Sequence, residues 1–203
     1  MPRLYLASNN AHKVAELGTM LATLDPPWQV ASAKELSPEI SWIENGDTFL
    51  ANAKIKADAL RRLTHDCVLA DDSGLVVDIL DGAPGVYSSR YSGLEGDDTA
   101  NNQKLLQAIA GRRAADLTAR FVCTLYFVDE QGVGRELVGT LEGRLTHHPA
   151  GQHGFGYDPL FVPDCPPPGY EGRTLAEMPA SVKNAISHRA AAFKAWRQWL
   201  ETR

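Results

Sequence analysis

Apolar positions recur along this chain in short extended runs and in helical stripes, and the pattern changes where polar, glycine-rich stretches intervene. Residues 3–7 predict a short strand, with residues 8–10 as its turn. Val14, Leu17, Leu21 and Leu24 then repeat at helical spacing, which predicts an amphipathic helix ending before Pro26. Residues 28–31 predict a second strand and residues 37–47 a loop. Asp47 or Thr48 is placed to cap a helix reaching about Leu63, with Phe49, Ala53, Leu60 and Leu63 on one face. Residues 68–70 predict a buried strand, and residues 75–79 a separate short extended piece.

The stretch 81–98 is rich in Gly, Ser and Asp and predicts loop. Asp98 is read as the cap of a helix over 99–110, stopped by Gly111. Residues 118–128, dense in aromatic and β-branched side chains, give the clearest strand. Gln131-Gly132 turns it into a partner over 135–142, a long hairpin. Residues 143–157 are glycine-rich again, and 163–169, with three consecutive prolines, predict an extended surface loop. Two helices close the chain, over 180–187 and 188–202, the last burying Phe193, Trp196 and Leu200. Early alternation of strands and helices followed by a hairpin predicts an α/β protein with a mixed sheet. With no repeat and no long linker, residues 1–203 are expected to form a single domain, built as two lobes.

Composition narrows the classes. At 203 residues the chain is long enough to bury a sizeable core. No apolar run approaches the roughly 20 residues of a membrane span. The N-terminal stretch has no apolar signal core, so a cytoplasmic location is expected and no membrane partner. Cys67, Cys123 and Cys165 are dispersed, which argues against a disulfide scaffold or zinc site. Net charge is −5 and no basic face is visible, so a nucleic acid polymer is not expected as partner, whereas a nucleotide monomer is compatible. An acidic protein holding a polyphosphate must place its cations carefully or recruit a metal.

Several polar segments carry candidate chemistry, and each has a plainer reading beside it. Ser8, Asn9, Asn10 and Lys13 lie between a strand and a helix, where free backbone N–H groups and the helix dipole suit phosphate. Equally, Ser8 and Asn10 cap the helix and Lys13 is solvated; the glycine-rich phosphate-loop signature is absent. Glu44 and Asp47 precede a helix on which Asn52 and Lys56 share a face. Glu44 reads as a metal carboxylate with Lys56 near phosphate, or Asp47 is a cap and the lysines face solvent. Asp71-Asp72-Ser73-Gly74 ends an apolar strand. Adjacent carboxylates there repel unless a cation neutralises them. One would hold magnesium while the other deprotonates water, or the segment is an acidic turn. Residues 82–91 form a lid with Arg90 reaching towards phosphate, or a loop without chemistry.

Gly154-Phe155-Gly156-Tyr157-Asp158-Pro159 lets backbone approach a ligand, with Phe155 stacking on a base and Asp158 bonding to it; alternatively it is a tight turn with Phe155 in the core. Lys183 with Ser187-His188-Arg189 supplies donors where two helices meet. Donors fit a 6-oxo base and reject a 6-amino one, because a mismatch leaves buried donors unpaired. The plainer reading makes His188 and Arg189 cap and surface residues. His147-His148, lacking a third ligand at sensible spacing, reads as a solvated turn.

Together these segments resemble the inosine triphosphate pyrophosphatase family, whose members cleave non-standard purine triphosphates. The resemblance runs from Leu6 to Arg189, carried by ADDSGL at 70–75, GAPGVYSSRYSG at 82–93, GFGYDP at 154–159 and AISHR at 185–189, in the family's order. It implies an elongated mixed sheet with flanking helices, two lobes around a central cleft, and a homodimer. By motif, Ser8, Asn9, Asn10 and Lys13 would hold the triphosphate, assisted by Lys56. Glu44 and Asp72 would bind Mg2+, with Asp72 also the proton acceptor. Ser73 would touch substrate, Phe155, Gly156, Tyr157 and Asp158 would enclose base and sugar, and Lys183, His188 and Arg189 would read the base. Ala51 departs from the family's habit of Glu there, so the metal shell would depend more on Glu44 and Asp72. The implied reaction is release of pyrophosphate from ITP, dITP or XTP. A Maf-like nucleotide pyrophosphatase and a non-catalytic nucleotide sensor are the rival readings; a haloacid-dehalogenase phosphatase is set aside because its Asp-x-Asp-x-Thr/Val motif is missing.

Overall fold

A computed structural model describes residues 3–8, 11–24 and 28–202. In chain order the elements are β1 (Arg3–Ala7), α1 (Ala11–Leu21), β2 (Gln29–Ser32), α2 (Ala33–Leu36), α3 (Phe49–Arg61), β3 (Cys67–Val77), α4 (Asp98–Ala108), β4 (Thr118–Val128), β5 (Gly134–Leu145), β6 (Phe161–Pro163), α5 (Ala180–Ile186) and α6 (His188–Leu200), with short 3-10 turns between several of them. The strands form a six-stranded sheet in the order β2-β1-β3-β4-β5-β6. β1 runs parallel to both neighbours, and β5 and β6 are antiparallel, so the sheet is mixed, as expected.

Two compact units share this sheet's strands: residues 1–72, 123–139 and 192–203 form one, residues 73–122 and 140–191 the other. The chain crosses between them within β3, β4, β5 and α6. In the first unit the two-residue period of a strand sorts the core onto two faces. Leu4, Leu6, Cys67 and Leu69 join one cluster, with Leu17 and Leu21 of α1, Leu125 and Phe127 of β4, and Phe193 and Trp196 of α6. The alternate positions Tyr5, Ala7, Val68 and Ala70 join a second cluster with Ala53, Ala57 and Leu60 of α3. In the second unit Leu75, Val77, Ala119, Phe121, Leu141 and Leu145 meet Leu105 and Ile109 of α4 together with Tyr157, Leu160 and Phe161. β5 alternates strictly, burying Leu137, Leu141 and Leu145 while Val138 stays about half exposed.

Most elements fall where the pattern placed them, and the departures have local causes. Residues 68–70 and 75–79 are not two pieces: β3 runs unbroken through Asp71, Asp72, Ser73 and Gly74. Turn-prone residues are held extended there within a central strand, past Ala70, where the pairing with β1 ends. The cap of α4 is Asp97, whose Oδ1 accepts from Ala100 N at 2.9 Å, not Asp98. α3 is capped by Thr48 and ends at Arg61, leaving Leu63 exposed instead of on the buried face. α2 and β6 were not anticipated; α2 is a single turn closed by a Ser32–Glu35 capping box. Pro163, expected in loop, ends β6, where an edge position tolerates its missing N–H. Pro26, expected to stop the first helix, lies outside the described residues. Among the described residues no helix is long and apolar enough to cross a membrane.

Trp196 is wholly buried and packs edge-on against Trp28 and Phe193. Trp196→Ala is expected to lower unfolding stability by roughly 3–5 kcal/mol, read from urea denaturation midpoints.

Candidate active site

The alternation that sorts the core also separates the two adjacent acids of β3. Asp71 continues the row of Cys67 and Leu69, the face covered by α1; Asp72 continues the row of Val68 and Ala70, the face covered by α3. Both carboxylates are buried. Lys13, one turn before Leu17 on α1, places its ammonium 2.5 Å from Asp71 Oδ1, and Cys123 of β4 donates its thiol to Asp71 Oδ2 at 3.2 Å. On the other face Lys56 lies 3.5 Å from Asp72 Oδ1 and 3.1 Å from Glu44 Oε1. Asn52 donates to Asp72 Oδ2 at 3.0 Å. Trp42 Nε1 donates to Glu44 Oε1 at 3.3 Å.

Asp71 and Asp72 are neutralised separately. Each has its own lysine, because strand geometry points neighbouring side chains to opposite faces. Lys56 is not solvent-facing; it is nearly buried and links Glu44 to Asp72. Burial pushes the Asp72 carboxyl above the ordinary carboxylate range; Lys56 and Lys13 pull it back, while Glu44 and Asp71 add to the rise. Ser8 follows β1 and is half-buried; Asn9 and Asn10 lie outside the described residues.

The second unit holds a separate set. Gly154 and Gly156 both adopt left-handed backbone, and a side chain at Gly154 would collide with the Asp158 carboxylate. Asp158 is buried, and its Oδ2 accepts from Phe155 N at 2.8 Å and from Lys183 at 2.6 Å. Lys183 in turn sits 4.2 Å from the centre of the Phe155 ring, and the Arg189 guanidinium 5.6 Å from it. Phe155 is half-buried, outside the core clusters, between two cations. Tyr157 is the core aromatic of this loop, and its hydroxyl donates to Ser88 O at 2.8 Å. Gly156 N donates to Asp98 Oδ2 at 2.6 Å, and Gly156 O accepts from Asn102 at 2.8 Å. Asp98, read from sequence as a helix cap, therefore fastens this loop.

His188 and Arg189 are buried, not surface residues. His188 stacks on Phe121, with centroids 5.0 Å apart and planes 13° from parallel. Arg189 donates to Ser73 Oγ at 3.0 Å, and Ser187 caps α6 by accepting from Ala190 N. Arg90 faces Glu95 and the Tyr87 ring.

The geometry brings in three residues to which the sequence assigned no site role: Asn52, Asp98 and Asn102. Asn52 had a legible signal. Positions 52, 56 and 60 form one i,i+4 row, Leu60 is apolar, and two polar residues continuing a buried row need buried partners.

A helix-flanked mixed sheet whose central strand carries two buried acids, each paired with a lysine, defines a mixed α/β protein with charged side chains buried on both faces of one strand. Residues 4–199 match the Ham1 family, and the chain belongs to that family. It is 45% identical to a Streptomyces coelicolor protein named dITP/XTP pyrophosphatase, over 96% of this chain and 95% of that one. A Listeria innocua protein of the same name is 43% identical over 96% of this chain and 92% of its own length. Among solved structures, the Staphylococcus aureus Ham1 protein superposes with a TM-score of 0.85 at 34% identity, covering 98% of both chains. A HAM1 protein from Coxiella burnetii gives 0.84 at 37% identity over the whole of both chains.

The rise at Asp72 has a direction that can be checked. An acid that holds its proton more tightly folded than unfolded stabilises the fold at low pH, and that contribution is lost as pH climbs through the folded value. Ionising Asp72 therefore costs stability relative to its protonated form. The thermal midpoint of the native protein, relative to that of Asp72→Asn, is expected to fall as pH rises through and above the ordinary carboxylate range; a relative rise over that range would reverse the assignment.

Proposed function

We propose that this chain hydrolyses non-standard purine nucleoside triphosphates, ITP, dITP and XTP, to the monophosphate and pyrophosphate, and so cleanses the nucleotide pool. The observation that carries this is the set Lys13, Asp71, Asp72, Lys56 and Glu44 on two faces of one strand, which joins cations for phosphate to a buried carboxylate for water. The names of the relatives at 43–45% identity support it. In this reading residues 1–203 act as one pyrophosphatase domain, as a homodimer in the cytoplasm.

Ser8, Asn9, Asn10, Lys13 and Lys56 bind the triphosphate, by hydroxyl, amide and ammonium. Asp72 orients a water in line with the α-phosphorus and accepts its proton, and the bond from that phosphorus to the pyrophosphate oxygen breaks. Its raised affinity for a proton suits the role. Phe155 offers a ring face to the purine, with Gly156, Tyr157 and Asp158 shaping the loop around base and sugar. Lys183, His188 and Arg189 present donors to a 6-oxo group, and Ser73 touches substrate.

Among the described residues no three His, Cys, Asp or Glu side chains converge to enclose a metal. Mg2+ needs only one or two protein carboxylates and completes its shell with water and substrate oxygens. Glu44 and Asp72, both within reach of Lys56, are the residues that would hold it. Bound there, Mg2+ would supply charge neutralisation for the phosphate oxygens.

With Mg2+, the protein is expected to release pyrophosphate from ITP and XTP far faster than from ATP or GTP. Asp72→Asn is expected to lose about 10²–10⁴-fold in turnover while still binding nucleotide. Preference for dTTP or UTP in the same assay would favour the Maf-like reading, and no pyrophosphate from any triphosphate would favour a sensor.

A further inference from the structure

We propose that Asn52 is a positioning residue that fixes the Asp72 carboxylate and ties the Glu44 segment to it. The inference rests on the pyrophosphatase reading above. Asn52 is wholly buried on α3, yet an amide at that position gives the helix nothing that Ala would not. Its side chain is used at both ends. Oδ1 accepts from Gly46 N at 2.8 Å, and Nδ2 donates to Asp72 Oδ2 at 3.0 Å.

The first contact dictates the second. A backbone N–H only donates, so the oxygen of the amide must face Gly46, and the NH2 group is left facing Asp72. Oδ2 of Asp72 is thereby held as an acceptor, while Lys56 approaches Oδ1 from the next turn of the same helix. The carboxylate is held from α3 at both oxygens, through residues one helical turn apart. Asn52 also anchors the stretch that carries Glu44. Gly46 lies so close to the start of α3 that an added Cβ would sit 2.6 Å from Ala51 Cβ and 2.9 Å from Asn52 Oδ1. One amide thus couples the two carboxylates assigned to the metal and fixes the base among them. Among neutral side chains, Asn matches this reach: Ser or Ala is too short for both contacts, and Gln is longer by a methylene.

The experiment compares native protein, Asn52→Asp and Asn52→Ala for ITP hydrolysis with Mg2+, reading kcat and KM separately beside the thermal midpoint. Asn52→Asp keeps the acceptor for Gly46 and turns an oxygen towards Asp72. Whether that new carboxyl ionises or shares a proton with Asp72, the base is displaced or occupied. The expected result is a kcat lower by about a hundredfold with KM within about threefold in protein that remains folded. A role confined to bracing Gly46 predicts near-native kcat in Asn52→Asp and a loss only in Asn52→Ala, and that result overturns the proposal. Should Asn52→Asp fail to fold, Asn52→Ala is read at saturating Mg2+: kcat still lowered at unchanged KM supports the assignment, and native kcat there, with only the Mg2+ requirement raised, overturns it. Native protein inactive on ITP overturns the pyrophosphatase reading itself, a failure visible before any variant is made.

Discussion

Everything in the proposed chemistry depends on carrying two ionisable acids through the middle of a buried strand. β3 lies between β1 and β4 in the sheet, and Asp71 and Asp72 are both buried on it, with little of their hydration left. A buried carboxylate is tolerated when a cation and hydrogen bonds replace its hydration. The strand's own period solves the like-charge problem: one acid meets α1 and Lys13, the other meets α3, Lys56 and Asn52. Cations that neutralise carboxylates in this way also stand ready for phosphate. In the proposed function, the buried ion pairs and the polyphosphate site are two uses of the same side chains.

The chain enters the second unit at Ser73, the residue after Asp72, and Ser73 already accepts from Arg189. In that unit the residues proposed to read the base are rigidly supported: Asp158 closes the turn at Phe155 and holds Lys183, while Asp98 and Asn102 hold the Gly156 backbone at its N–H and its carbonyl. Preorganised donors discriminate because they cannot rearrange to suit the wrong base.

Much of this was legible in the sequence for reasons of period. The 118–128 strand and the α1 and α3 stripes follow from alternation and helical spacing, and the mixed sheet from their order. The β3 assignment failed at Asp71–Gly74 because local propensity favours a turn, and the continuous central strand overrides it. Asp97 and Asp98 are adjacent, and nothing local distinguishes the one that caps α4 from the one that reaches Gly156, 58 residues away. The candidate acids and lysines were found from motif and spacing. Their separate pairing was not, because it depends on which face each residue takes in a strand that had not been recognised as continuous.

The central claim, that Lys56 and Asp72 exist as a mutually dependent buried pair, is tested most directly by a double-mutant cycle on unfolding free energy. The account predicts that Lys56→Met destabilises the native protein and that adding Asp72→Asn restores much of the loss, with a coupling of about 1 kcal/mol or more. Effects that add within about 0.5 kcal/mol would show two independent side chains, and would contradict the account.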